Sequence, residues 1–266
     1  MRLALIALAL AIPLPAAAQG FRTADVVTAE LRPGWRTEAG THMAALHLRL
    51  AEGWKTYWRT PGDAGIPPRF DWSGSDNLSA VRVHWPRPEV FELAGLRTLG
   101  FSSELVLPLE FTLADAAAAA RVAARVDLGV CETICVPVTL RLEGALPAPG
   151  AADPAIRAAL ANRPVPAREA GLTRAGCSVA PAEDGVRLTA RLDLPRMGTQ
   201  EVAVFELSDE EIWISEVASH REGGTLVAAA DLVPIMGGPV ALDRSDLRIT
   251  VLGDGRAVEL QGCPAP

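Results

Sequence analysis

Val122-Ala123-Ala124-Arg125-Val126-Asp127-Leu128-Gly129-Val130-Cys131-Glu132-Thr133-Ile134-Cys135-Val136-Pro137-Val138-Thr139-Leu140-Arg141-Leu142 is the stretch that decides the fold. Val122, Ala124, Val126, Leu128 and Val130 alternate with more polar or smaller residues, and Val138, Leu140 and Leu142 resume the alternation. A period of two is the mark of a half-buried β-strand. Between the two runs stand two cysteines, four positions apart. In a continuous strand such residues lie about 13 Å from each other, at about 3.3 Å per residue. A disulfide needs Cα atoms within about 4.4–6.8 Å. A bridge therefore requires the chain to reverse through Glu132-Thr133-Ile134, which makes a hairpin with both sulfurs at its accessible apex. A bridge around so short a loop gains little chain entropy, so reversible chemistry explains it better than stability does.

The same alternation recurs on both sides. Leu46, Leu48 and Leu50 alternate with His47 and Arg49, and Val81, Val83 and Trp85 with Arg82 and His84. This predicts His47 and His84 on outward faces. Leu105, Leu107, Leu109, Phe111 and Leu113 form a longer stripe, with Pro108 on the opposite face suggesting an edge strand or a bulge. Residues 19–146 thus read as an antiparallel β-sandwich. Residues 147–170 lose the alternation, being rich in Pro, Ala and Gly, and Asp153-Pro154 followed by Ala155 to Leu160 predicts one short capped helix. From 171 to 266 strands return around Val186, Leu188, Ala190 and Leu192, around Val202 and Val204, around Ile212 and Ile214, and around Leu247, Ile249 and Val251. Gly253-Asp254-Gly255 signals a tight hairpin. The expectation is an all-β chain of two sandwiches joined by a linker with a short helix.

Arg2, the apolar run Leu3 to Leu14 and the small residues Ala16-Ala17-Ala18 read as a secretory signal peptide over residues 1–18. The run is too short to span a bilayer, which takes about 20 apolar residues. The rest is expected in a bacterial periplasm. The net charge is −7, with acids and bases interspersed and no Lys/Arg cluster, so a nucleic-acid surface finds no support. Four cysteines in an exported chain fit disulfide chemistry. Cys131 and Cys135 are local, which leaves Cys177 and Cys263 as a remote pair. Bridged, that pair pins the ends of the second sandwich and contributes about 4–5 kcal/mol in the chain-entropy argument. A second redox pair, or thiols that hold a metal, is the rival reading.

For Cys131 and Cys135 two readings stand, a thiol–disulfide exchange couple and a structural clip. Exchange needs an attacking thiolate, an accessible sulfur and a resolving thiol nearby. Glu132 inside the loop disfavours a strongly acidic thiol, which suits a reductant or relay. A metal site would need the cysteines joined by two of His42, His47, His84 and His220, and nothing in the spacing gathers them. No Gly-x-Ser-x-Gly elbow marks a hydrolase. The aromatic segment Gly53 to Pro68 holds the only tyrosine, Tyr57, and reads either as a wall of the site or as a core-sealing loop.

Four motifs, in their order and spacing, resemble a known family: Gly53-Trp54-Lys55-Thr56-Tyr57-Trp58, Val81-Arg82-Val83-His84-Trp85-Pro86, Leu105-Val106-Leu107-Pro108-Leu109, and Val130-Cys131 with Cys135-Val136-Pro137. The chain is similar to the periplasmic N-terminal domain of the thiol:disulfide interchange protein DsbD, and more so to its relative, the suppressor of copper sensitivity protein ScsB. The resemblance implies immunoglobulin-like sandwiches and a protein-disulfide reductase-like electron relay without a cofactor. Cys135 would form mixed disulfides with partners and Cys131 would resolve them. Pro88 to Glu92 matches the family's cap loop, making Phe91 the candidate cap residue, unless it is an ordinary core phenylalanine. The implied partners are a membrane electron donor of the DsbD or CcdA type and periplasmic thioredoxin-like or disulfide isomerase-like proteins. Two departures stand out: the family's cysteines are usually further apart, and its membrane and thioredoxin-like domains are missing from this sequence. The runner-up is a periplasmic binding or chaperone module with two structural disulfides, with a tie to copper tolerance left open.

Overall fold

The computed structural model describes residues 22–266 apart from positions 63 and 94, so the expected leader over residues 1–18 lies outside the described residues. The alternating stretches become strands. In chain order the first half runs β1 (Val27–Arg36), β2 (His42–Leu50), β3 (Lys55–Gly62), β4 (Arg69–Asp71), β5 (Leu78–Val83), β6 (Glu89–Leu93), β7 (Leu96–Ser102), β8 (Glu104–Leu113), β9 (Ala120–Cys131) and β10 (Cys135–Leu146). One sheet has the order β1-β2-β8-β5. The facing sheet has the order β10-β9-β3-β7-β6, with β4 also on β9. Leu46, Leu48, Leu107, Leu109 and Phe111 from the first meet Val122, Val126, Val130 and Leu142 from the second, around a fully buried Trp58. Each such side chain contributes about 1.5–3 kcal/mol on leaving water, which is why alternation fixes register here.

Two local expectations are corrected. Pro108 does not mark an edge, because β8 lies between β2 and β5. Its carbonyl accepts from His84 N at 2.9 Å just past the end of β5, so the missing N–H falls where ladder pairing stops. His47 does not face water either: it is 3% exposed, with Nδ1 at 2.8 Å from Glu30 and Nε2 at 2.5 Å from Glu104. Acids on the two flanking strands close over it. His84 is also largely covered, between Glu110 Oε2 and Arg163 Nη1, each at 2.9 Å. Arg163 can only donate, so Nδ1 accepts and Nε2–H donates to Glu110.

The connecting segment is not loose. Asp153 caps α1 (Pro154–Ala161), accepting from Ala155 N and Ile156 N, and also pairs with Arg32 at 2.8 Å. Ile156 is fully buried against Met43 and Ala45, so the helix docks on the outer face of the β1-β2-β8-β5 sheet. The chain then enters β11 (Val165–Pro166), β12 (Arg174–Pro181), β13 (Val186–Asp193), β14 (Glu201–Glu206), β15 (Ile212–Ile214), β16 (Ala218–Glu222), β17 (Thr225–Pro234), β18 (Arg248–Gly253) and β19 (Arg256–Gln261). These form the sheets β11-β19-β18-β14 and β12-β13-β17-β15, with β16 on β17, around a second core of Leu188, Leu192, Leu226, Leu232 and Ile249. Asp254 and Gly255, at φ 29° and 77°, make the two-residue turn between β18 and β19, as primed hairpin turns require. Val204, Leu252 and Ala257 of the second half pack into the first core, so the sandwiches share an apolar seam.

Candidate functional site

The longest hairpin, β9–β10, pairs twelve residues on each strand and ends with Cys131 opposite Cys135. Glu132 N bonds Ile134 O at 3.2 Å to close the turn. The two sulfurs are bonded, with Cα atoms 4.2 Å apart. Their surroundings differ. Cys131 is buried, while Cys135 is exposed in a row with Glu132, Thr133 and Ile134, the last 66% exposed. Of the two residues, Cys135 is the one open to solvent. The Glu132 carboxylate leans on Gly53, where a Cβ would stand 3.1 Å from Oε1.

Tyr57, on neighbouring β3, was not singled out by sequence reasoning beyond its place in an aromatic segment. Its phenol oxygen lies 2.6 Å from Cys131 Sγ and 3.1 Å from Cys135 Sγ. The residue is 4% exposed, and that burial holds its phenol above the usual tyrosine range, so it stays protonated and can donate to sulfur. Its ring occupies a slot that two glycines keep open. A Cβ on Gly129 would come within 2.7 Å of Ile66 Cβ and 3.1 Å of Tyr57 Cδ2. One on Gly65 would come within 2.2 Å of Pro61 Cβ and 2.8 Å of Tyr57 Cδ1. Thr56 Oγ1, donating to Gly129 O at 2.9 Å, locks β3 onto β9 beside the slot. The signal was present in sequence as one tyrosine and two glycines, but far apart. The same segment also supplies the fully buried Trp58 to the core.

Lys55 is the register partner of Cys131, and its ammonium lies 4.4 Å from the centroid of the Phe91 ring. Phe91 is half-buried on β6 and reaches the site through this contact. Glu89 on the same strand accepts from Ser102 N at 3.2 Å and from Ser102 Oγ at 2.9 Å, which ties β6 to β7.

Cys177 and Cys263 form the other disulfide, 86 residues apart in sequence, and both are buried at 0% and 2% exposure. Arg244 donates to Cys177 O, and Cys177 N bonds Pro264 O at 2.8 Å. Among the described residues no three His, Cys, Asp or Glu side chains converge as a metal site, and no helix is long and apolar enough to cross a membrane.

Residues 24–147 match the family described as thiol:disulfide interchange protein DsbD, N-terminal. The first sandwich belongs to the DsbD N-terminal family. It is thereby a thiol–disulfide interchange module. The N-terminal periplasmic domain of ScsB from Proteus mirabilis superposes with a TM-score of 0.66 at 24% identity, covering 90% of this chain and 92% of that one. Both halves of the chain thus share its immunoglobulin-like architecture. The reduced N-terminal domain of DsbD from Neisseria meningitidis covers 47% of this chain and 89% of its own, with a TM-score of 0.30 and 16% identity. No curated protein sequence matches the chain.

Proposed function

We propose that the chain is a periplasmic electron relay in which Cys135 exchanges disulfides with partner proteins and Cys131 resolves them. The observation that carries this reading is the asymmetry of the pair: one sulfur exposed at a hairpin apex, the other buried beside a phenol donor. In the reduced state the Cys135 thiolate attacks a partner disulfide, one partner sulfur leaves as thiolate, and a mixed disulfide forms. Cys131 then attacks the Cys135 sulfur, and the second partner sulfur leaves. Two electrons pass to the partner, the protons of Cys131 and Cys135 end on its thiols, and the internal disulfide is restored. The sulfurs suffice for this, so the proposal includes no cofactor.

A membrane protein of the DsbD or CcdA type is the proposed donor, and thioredoxin-like or disulfide isomerase-like proteins are the proposed acceptors. The family assignment and the periplasmic origin of the ScsB domain support that placement. Phe91 is proposed to shield the pair between encounters, held by the Lys55 ammonium.

The test is equilibration in graded thiol redox buffers, followed by mass tagging of free thiols and peptide mapping. Cys131 and Cys135 are expected to titrate together at potentials within reach of thioredoxin-like proteins, while Cys177 and Cys263 stay bonded. Cys131→Ser is expected to accumulate mixed disulfides at Cys135, and Cys135→Ser to abolish exchange. A pair that stays oxidised below about −300 mV, the range of structural bridges, would sink the relay and leave a binding module with two clips.

A further inference from the structure

Residues 60–62 and 64–68 lie between the redox pair and the second sandwich. On one side, Gly65 lies against one edge of the Tyr57 ring, while Gly129 lies against the other edge and beside Ile66. On the other side, Pro61, Gly62, Pro67 and Pro68 line a cleft of about 600 Å³ whose far wall is the second sandwich. The segment is gripped at its start. Arg59 stacks on Trp58, its guanidinium carbon 4.2 Å from the ring centroid. Its Nε and Nη2 reach Glu206 of β14 at 2.8 and 2.9 Å, and Nη2 reaches Glu259 of β19 at 2.5 Å. Thr60 Oγ1 donates to the same Glu206 at 2.7 Å. Arg59 and Glu206 side chains are only 16% and 12% exposed. Burial opposes the Arg59 charge, yet Glu206 and Glu259 together hold it more firmly protonated than usual. The two other cross-sandwich pairs described, Arg69–Glu210 at 3.7 Å and Arg97–Glu216 at 2.7 Å, include more exposed partners, and such pairs hold geometry weakly.

We infer that the second sandwich is a positioning element for the redox pair. Through Glu206 and Glu259 it fixes Arg59 and Thr60, which hold the following segment, Gly65 above all, against Tyr57 and so keep the phenol on the two sulfurs. Arg59 and Glu206 are positioning residues, since neither is seen to touch sulfur. A bidentate, partly desolvated arginine pair suits this task because its planar fork specifies direction as well as charge. The inference builds on the proposed relay, but the geometry it asserts is read out by Tyr57 itself.

Tyr57 is the only tyrosine of the chain, so tyrosinate absorbance in a pH titration reports that one phenol. The proteins compared are the full chain, Glu206→Gln/Glu259→Gln, and the milder Thr60→Val, each checked for folding by circular dichroism. In the wild type Tyr57 is expected to ionise above the ordinary value of about 10. In the variants its ionisation constant is expected to rise about tenfold, as the slot loosens and the phenol meets water. The exchange equilibrium with glutathione is expected to shift about fivefold toward the disulfide, because a donor to the thiolate is lost. Wild-type ionisation and a wild-type exchange constant in folded variants would overturn the inference. Should the double variant fail to fold, Thr60→Val decides alone. A wild-type pair that never titrates removes the relay, while the tyrosine titration still decides whether the second sandwich sets the slot.

Discussion

Cys177 and Cys263 are buried and 86 residues apart, whereas Cys135 is open to solvent and three residues separate it from Cys131. The chain-entropy argument gives about 4–5 kcal/mol for the long loop and about 2 kcal/mol for the short one. Accessibility runs the other way. One bridge is sealed inside a core and the other ends at an exposed hairpin tip, within one chain. Placement of a disulfide, rather than its presence, separates structure from chemistry.

The largest expected effect breaks that comparison on stability. Cys177→Ala/Cys263→Ala is expected to lower unfolding free energy by about 4–5 kcal/mol, and Cys131→Ala/Cys135→Ala by about 2 kcal/mol or less. Urea denaturation of both variants checks the order, with thiol exchange lost only in the second. Equal losses would mean that the hairpin tip is a structural clip after all.

Tyr57→Phe sharpens the comparison at the exposed bridge. The phenol lies within hydrogen-bond reach of both sulfurs, and a hydrogen bond to a charged group contributes about 1.5–3 kcal/mol. The thiolate accepts more strongly than the disulfide does, so the donor favours the reduced form. Its removal is expected to make the pair more reducing by roughly 30–60 mV, at about 30 mV per 1.4 kcal/mol, and to raise the reactive thiol's pKa by about one unit. Glutathione equilibration and the pH dependence of alkylation measure the two shifts. Unchanged values would reduce Tyr57 to packing.

The hairpin was legible because local geometry forces it: cysteines four apart can bond only if the chain reverses. The sandwich cores were legible because Leu105 to Phe111 and Val122 to Val130 alternate without interruption. Pro108 misled because the pattern shows which residue lacks an N–H but not where the neighbouring strand stops. His47 misled because period two reports the face and not what covers it, here Glu30 and Glu104 from flanking strands. The Tyr57 slot was out of reach for a similar reason. It depends on Gly129 and Gly65 both meeting the Tyr57 ring, and on Arg59 meeting Glu206 and Glu259, 147 and 200 positions away. Long-range pairs leave no periodic trace.

The smallest expected effect is a difference in acid sensitivity between the two sandwiches. His42 and His84 sit in the first, and burial pushes both below the usual histidine range. Arg163 deepens the shift at His84, while Glu110 partly opposes it. A depressed histidine binds its proton more weakly folded than unfolded, so its contribution is complete above about pH 6.5 and falls as the pH drops below that. In the second sandwich the shifted acids, among them Glu201 with Arg221 and Asp231 with Arg187, are carboxylates held below their ordinary range. Their contributions persist until the pH falls below about 4.5. Between about pH 6.5 and 5 the first sandwich is therefore expected to loosen alone. Hydrogen exchange resolved by peptide and corrected for intrinsic rates should show β2 and β5 losing protection across this window, while β13 and β17 keep theirs. His84→Gln should flatten part of the trend, since glutamine can keep a bond to Glu110 without titrating. Parallel loss of protection in both sandwiches would mean that the shared seam, rather than the histidines, sets the acid response.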